Sequence, residues 1–164
     1  MTTDTEYPLT LFRFQVDFQR VSLSDHKEQG DMPLCRGAFA DCSGLEATME
    51  PKVIKAGGWN YGAHQRPGGV TFGTVILKRG LTTTRDLWKW FSHVSEEARY
   101  AFRLNVTIRV SGPGEDIPGE TLVVQLFRAL PVKFKCADLN ARGTEVSIEE
   151  LHLAHEGMSI ATRS

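Results

Sequence analysis

From Tyr100 to Val110 the sequence reads YAFRLNVTIRV, and every second residue is apolar: Tyr100, Phe102, Leu104, Val106, Ile108 and Val110. Arg103, Asn105, Thr107 and Arg109 fill the places between them. A period of two belongs to a β-strand, whose successive side chains point to opposite faces, so one face is buried and the other is wet. LFRFQVDF repeats the pattern, with Phe12, Phe14, Val16 and Phe18 set against Arg13, Gln15 and Asp17. Strands of this kind belong to an antiparallel sheet with one solvated side.

Further strands follow from the same reading. VTFGTVIL, residues 70–77, alternates with both faces partly apolar, which predicts a single strand covered on both sides. AFADCSGLEATMEPKVIKAGG offers two short strands interrupted at Ser43-Gly44. ETLVVQLFRALPVKFK is a strand in which Pro131, lacking an N–H, predicts a break, bulge or edge position. TEVSIEELHLAHEGM alternates, but its apolar phase slips between Ile148 and Leu151, predicting a β-bulge near Glu149-Glu150. Residues 19–37 lose the pattern and read as a long loop or an extended hairpin in a single domain spanning 1–164.

One helix interrupts the strands. In GLTTTRDLWKWFSHV, Leu87, Trp90, Phe91 and Val94 recur at i, i+3, i+4 and i+7, which puts them on one helical face. Thr83 and Asp86 have capping-box spacing. Trp88 lies off the stripe and needs a second surface to cover it.

Composition excludes several roles. Hydrophobic residues make up 41% and charged residues 24%, as in ordinary globular proteins. The net charge of -1 supplies no global field for nucleic acid or an anionic membrane. No basic segment followed by an apolar run opens the chain, and no apolar run approaches a membrane span of about 20 residues. Cys35, Cys42 and Cys136, an odd number, fit synthesis in a reducing cytoplasm and read as small buried hydrophobes.

No residue set assembles an enzyme. His152 and His155 are three apart in a strand, point to opposite faces and do not share a metal ion. The glycines of AGGWNYGAHQRPGG lead into a strand rather than a helix, so they read as hairpin glycines and not as a phosphate cradle. Glu96-Glu97 and Glu149-Glu150 read as solvated charges. Arg13, Arg103 and Arg109, with Lys133 and Lys135, are a basic patch or simply a solvated outer face. The expectation is a structural or binding protein without catalytic, metal or cofactor residues.

Three blocks carry a family resemblance: SGLEA at 43–47, PGG…FGTVILKRGLTTTRDLWKWF at 67–91, and RALPVKFKCADLNARGTEVSIEELHLAHEGM at 128–158. In this order they resemble the tail tube family, the T-even-type phage tail tube proteins and their relatives in extracellular contractile injection systems. The resemblance implies a mainly β fold, an antiparallel barrel or sandwich flanked by one helix. It also implies hexameric rings stacked into a hollow tube within a contractile sheath, with baseplate or initiator and terminator proteins at the ends. Protein cargo or DNA would pass through the lumen without sequence-specific binding. More distantly, the type VI secretion tube protein shares this architecture.

On that basis Arg13, Gln15, Asp17, Arg103, Asn105, Thr107 and Arg109 are expected to face the lumen, and Trp88 to contact a neighbouring subunit. The chain would be made in the cytoplasm and reside in an assembled particle. Two departures stand out. The 19–37 segment is longer than the turn expected there, as in an arm gripping the next ring or in an initiator that meets the baseplate. Arg128 stands where the family usually has asparagine before Ala-x-Pro. The competing roles are a tube initiator and an effector-binding secreted ring of the type VI kind.

Overall fold

A computed structural model describes residues 13–21, 28–31, 39–97, 101–111, 121–139, 141–143 and 146–163. Its strands are β1 (Arg13–Val21), β2 (Glu28–Asp31), β3 (Asp41–Ser43), β4 (Ala47–Met49), β5 (Lys52–Ile54), β6 (His64–Arg66), β7 (Val70–Phe72) and β8 (Val75–Gly80). After helix α1 (Asp86–Ser95) come β9 (Leu104–Ser111), β10 (Thr121–Lys135), β11 (Ile148–Ala154) and β12 (Gly157–Arg163).

The main sheet runs β2-β1-β9-β10-β11-β8-β3, with β12 also paired to β10 and every pairing antiparallel. Strand β10, with 15 residues, has two halves. Its first half lies between β9 and β12, and its second half pairs with β11. Two sheet portions therefore share one strand. The first is β2-β1-β9-β10-β12 and the second is β10-β11-β8-β3. The sheet does not close on itself among the described residues.

The predicted alternation sets the core. Val16 and Phe18 of β1, with Leu104, Val106 and Ile108 of β9, turn inward to meet Val75, Leu77, Leu151 and Leu153 of the second sheet. Burial of each such side chain stabilises the fold by about 1.5–3 kcal/mol. Helix α1 adds Leu87, Trp90 and Val94, and Trp90 meets Phe18 edge-on at 5.6 Å. The helix has 10 residues, and of the predicted stripe Leu87, Trp90 and Val94 are buried, whereas Phe91 is half-buried and rests against Trp88.

Several expectations need correction. Residues 70–77 are two strands, not one, because the chain pinches at Gly44 and Thr74. Gly44 has φ 81°, and a Cβ on it would lie 2.1 Å from the Thr74 carbonyl oxygen. β4 pairs with β7 and β5 with β6, so 47–72 forms a hairpin arm of two successive ladders, with the glycines of GGWNYG at its tip. The arm's Met49, Val53, Ile54, Trp59, Tyr61 and Val70 are exposed.

The strand from Tyr100 starts only at Leu104, and β10 exceeds it in length. Phe102 instead packs on His93 and beneath Arg20. Tyr100 and Phe12 lie outside the described residues. β1 runs on to Val21 and pairs with β2, so part of the 19–37 segment is a hairpin, its remainder lying outside the described residues. Pro131 does mark a bulge, since the pairing with β11 shifts between Pro131 and Lys133.

No bulge occurs at Glu149-Glu150, because β11 runs in unbroken register along β8, from Ile148 opposite Gly80 to Leu153 opposite Val75. The phase slips because a charged residue takes an inward position. Glu149, read as solvated, is 2% exposed and accepts a 2.5 Å hydrogen bond from Nε of Arg79, which is also 2% exposed. The capping box is likewise absent. The N-cap is Arg85 in a left-handed conformation (φ 52°), with no side-chain cap bond. Asp86 turns to Arg79 instead, accepting from Nη1 at 3.4 Å and also contacting Nη2, while Thr82 accepts from Nη2 at 3.2 Å. One guanidinium thus joins β8, β11 and the start of α1. Its carbon lies 5.6 Å from the Phe39 ring centre.

Candidate functional site

The wet face of the first sheet gathers the polar residues that alternation separated from the core. Register places Gln15 opposite Arg109, Asp17 opposite Thr107 and Gln19 opposite Asn105. Across β9 the rows continue to Val123 and Gln125, and across β10 to Ala161 and Ser159. One row therefore reads Asp17-Thr107-Gln125-Ser159 across four strands. Gln15 and Arg109 are exposed, Asp17 and Asn105 half-buried, and Thr107 buried beneath its neighbours. Arg13 lies in the same strand opposite Ser111, and its side chain is outside the described residues.

At the Asp17 and Arg109 positions the charge on this face is matched. Arg109 pairs with Asp17, which also accepts a 2.9 Å hydrogen bond from Gln15. An exposed pair of this kind contributes about 0–1 kcal/mol, so it serves solvation and orientation more than stability. Ser159 donates to Gln125 at 3.5 Å.

Arg103 and Asn105 have a more particular task. Where β10 passes from one sheet to the other, Phe127 and Arg128 together oppose Asn105, because the pairing skips between Leu126 and Ala129. This is a bulge, and it leaves ladder groups of Arg128 without strand partners. Asn105 Oδ1 accepts the Arg128 N–H at 3.0 Å, and Arg103 Nη1 donates to the Arg128 carbonyl at 3.4 Å. Glu156 then bridges the two guanidiniums, 3.0 Å from Arg103 Nη1 and 2.8 Å from Arg128 Nε. Removing the Asn105 carboxamide leaves a backbone donor unsatisfied. Asn105→Ala is expected to lower stability by about 1–3 kcal/mol, read from the urea midpoint.

Arg128 has φ 53°, in the left-handed region that costs a side-chain-bearing residue roughly 1–2 kcal/mol and that asparagine tolerates best. The departure from the family's asparagine therefore falls on a strained position. Sequence reasoning missed Gln125, Phe127, Glu156 and Ser159 as members of this face. The odd-numbered polar residue of VVQLF was the available signal for Gln125.

The remaining candidates are dispersed. Lys133 and Lys135 lie on the second sheet opposite His152 and Glu150, so they form no patch with Arg103 and Arg109. His152 sits 3.5 Å from Glu150, whereas His155 stacks on Phe72 at 5.2 Å and bonds the Gly157 carbonyl at 2.9 Å through Nδ1. Among the described residues no three His, Cys, Asp or Glu converge on a metal position. Cys42 packs on the core, and burial, aided by Asp41, pushes its thiol up to about 11. Cys136 is exposed, against expectation, and Cys35 lies outside the described residues. Among the described residues no helix is long and apolar enough to cross a membrane.

Trp88 is 44% exposed and touches Phe91 and Phe134 at centroid distances of 5.8 and 5.5 Å. It has local contacts and a free side. Trp88→Ala is therefore expected to cost about 1–2 kcal/mol of monomer stability, less than a buried aromatic. Loss of assembly at unchanged secondary structure, read by mass in solution and circular dichroism, would mark the free side as a subunit contact. Normal assembly would reduce Trp88 to a packing role.

Comparison with known proteins places this architecture. A chain of the anti-feeding prophage (AFP) baseplate is 23% identical with a TM-score of 0.65, covering 96% of this chain and 97% of that one. A chain of the PVC extracellular contractile injection system sheath–tube complex in the extended state is 18% identical with a TM-score of 0.71, covering 96% and 94%. Hcp1 from Flavobacterium johnsoniae is 14% identical with a TM-score of 0.51, covering 92% and 96%. At these identities the likeness is one of fold. A search of curated proteins finds no match. The T4-like virus tail tube protein gp19 family, however, matches over residues 10–159, nearly the whole sequence. The chain belongs to that tail tube family.

Proposed function

We propose that the protein is the repeating subunit of the inner tube of a contractile injection system or contractile phage tail. Hexameric rings of it stack into a hollow conduit, and its role is mechanical rather than catalytic. The observation that carries this reading is the polar face of the first sheet, continuous over four strands, in a member of the tail tube family. Gln15, Asp17, Arg103, Asn105 and Arg109, together with Gln125 and Ser159, line the channel, with Thr107 buried beneath them, and Arg13 joins them. Paired charges and amides keep the bore wet without gripping a polyanion.

Unsatisfied surface supports assembly. Among the described residues β12 pairs on one side only, with β10, and its Ile160 is 60% exposed although its partner Val124 is buried. The exposed apolar arm and Trp88 add further contact area. Heterologous contacts between unlike patches close into rings when the rotation permits. Chains of the same fold come from a PVC sheath–tube complex and a PVC sheath/tube terminator. This supports a sheath around the tube, with terminator and baseplate proteins at its ends.

Negative-stain microscopy of the purified protein, with its mass measured in solution, tests the reading. Rings or stacked tubes are expected. A stable monomer at high concentration would overturn the repeating-subunit role and favour an initiator that needs a baseplate.

A further inference from the structure

On the polar face of the first sheet, one group stands apart in chemistry. Phe127 is 38% exposed there, presented by the bulge where β10 changes sheets. It lies opposite Gly157, where an added Cβ would sit 3.3 Å from the Phe127 ring, so the ring packs closely over the glycine backbone. Next to it in the chain is Arg128, held in the left-handed conformation, and Glu156 donates its backbone N–H to the Phe127 carbonyl at 3.0 Å. Glu156 is shared by Arg103 and Arg128, so two guanidiniums face one carboxylate and a positive charge is left over. Elsewhere on this face Arg109 and Asp17 cancel. An exposed aromatic ring beside surplus guanidinium charge matches an apolar side chain with a carboxylate next to it. Strain is tolerated at positions where function needs a particular geometry.

We propose that Phe127, Arg103 and Arg128 form a contact site for acidic, apolar polypeptide, and that the cargo carried in the channel is protein of this composition. The proposal rests on the reading that this face lines the channel. Repetition of the site around a ring makes many weak contacts act together, holding a chain without trapping it at one place. Duplex nucleic acid gains less, because its phosphate backbone offers the Phe127 ring no apolar partner.

The assembled protein is titrated with a short fluorescent peptide carrying phenylalanines among glutamates, and with the same peptide bearing glutamine for glutamate. Binding of the acidic peptide is expected to weaken about ten-fold in Phe127→Ser, which alters an exposed side chain. Arg128→Asn, which relieves the backbone, is expected to weaken it similarly and to flatten its salt dependence. Equal binding by both variants and the parent, or equal binding of the acidic and glutamine peptides, overturns the site. A single-stranded oligonucleotide that binds more tightly than the peptide overturns the cargo class.

Location is read separately, using Gln125→Cys in a Cys35→Ser, Cys42→Ala, Cys136→Ser chain. After assembly a small maleimide is expected to react there, and a maleimide on a large polymer is not. Reaction with the polymer overturns the channel location and the cargo role with it, whatever the peptide does.

Discussion

Arg79→Met is expected to lower the free energy of unfolding by about 3–5 kcal/mol, the usual cost of removing one partner from a buried ion pair. Glu149, as buried as Arg79 itself, would be left without its counter-charge in the core, and Asp86 would lose the donor that ties α1 to β8. Urea denaturation of the parent and variant reads the effect directly. A loss below about 1 kcal/mol would show that the two carboxylates are satisfied without Arg79. Replacing Arg79, Glu149 and Asp86 together by apolar residues is expected to recover much of the loss, since such clusters are often no more stabilising than packed hydrophobes.

The same cluster gives the fold a dependence on acid. Burial works to raise the Asp86 carboxyl, but the hydrogen bonds and charge of Arg79, with help from its own backbone amide and Thr84, outweigh it and hold the group below its ordinary value. A carboxyl depressed in the folded state contributes its full stabilisation above the unfolded value near about pH 4. That contribution is lost as pH falls through the lower, folded value. Stability is therefore expected to drop below about pH 4 in the parent and to drop less steeply there in Arg79→Met. For Arg79, burial works to lower the pKa, while Asp86 and Glu149 outweigh it and hold it above its ordinary value, so its own contribution is lost only in strong alkali.

Trp90→Ala is the second large effect, with an expected loss of about 3–5 kcal/mol. Trp90 is 1% exposed, lies between the helix and β1, and meets Phe18 edge-on. A cavity there would be bordered by both the helix and the first sheet. Trp90→Phe is expected to be far milder, because the indole N–H of Trp90 is buried without a hydrogen-bond partner among the described residues and its removal offsets part of the lost contact. Thermal denaturation of the two variants separates the volume of the ring from its polar atom. Equal losses would mean that the N–H is satisfied.

The contrast between the two tryptophans was legible in the sequence, because helical spacing alone puts Trp90 on the apolar stripe and Trp88 off it. The wet and dry faces of β1 and β9 were legible for the same reason. What periodicity could not give was the partner of an inward charge. Glu149 broke the apolar phase, and a bulge was the local explanation, whereas the actual one lay 70 positions away at Arg79. The arm was hidden because Val70, Phe72, Thr74 and Ile76 read as one alternating run, whereas the buried apolar positions of β8 are Val75 and Leu77, and the close approach at Gly44 marks the split. Arg103 and Asn105 were correctly separated from the core, yet their use in holding the bulge depends on a cross-strand register that composition does not encode. Arg128 was visible as a departure. Its meaning needed a backbone angle.

β10 belongs to both sheets, and this bears on how the molecule comes apart. Opening the second sheet strips β10 of its pairing with β11, and opening the first strips it of β9 and β12, so neither ladder can melt without loosening the strand that anchors the other. Amide protons on β9 and β11, in different sheets, should therefore exchange with nearly the same opening free energy, while those on β5 and β6, which among the described residues pair only with each other, should exchange through a much cheaper local event. A subunit built this way has a stiff body and a compliant limb, and a compressive load entering one sheet reaches the other along covalent bonds rather than across a ladder.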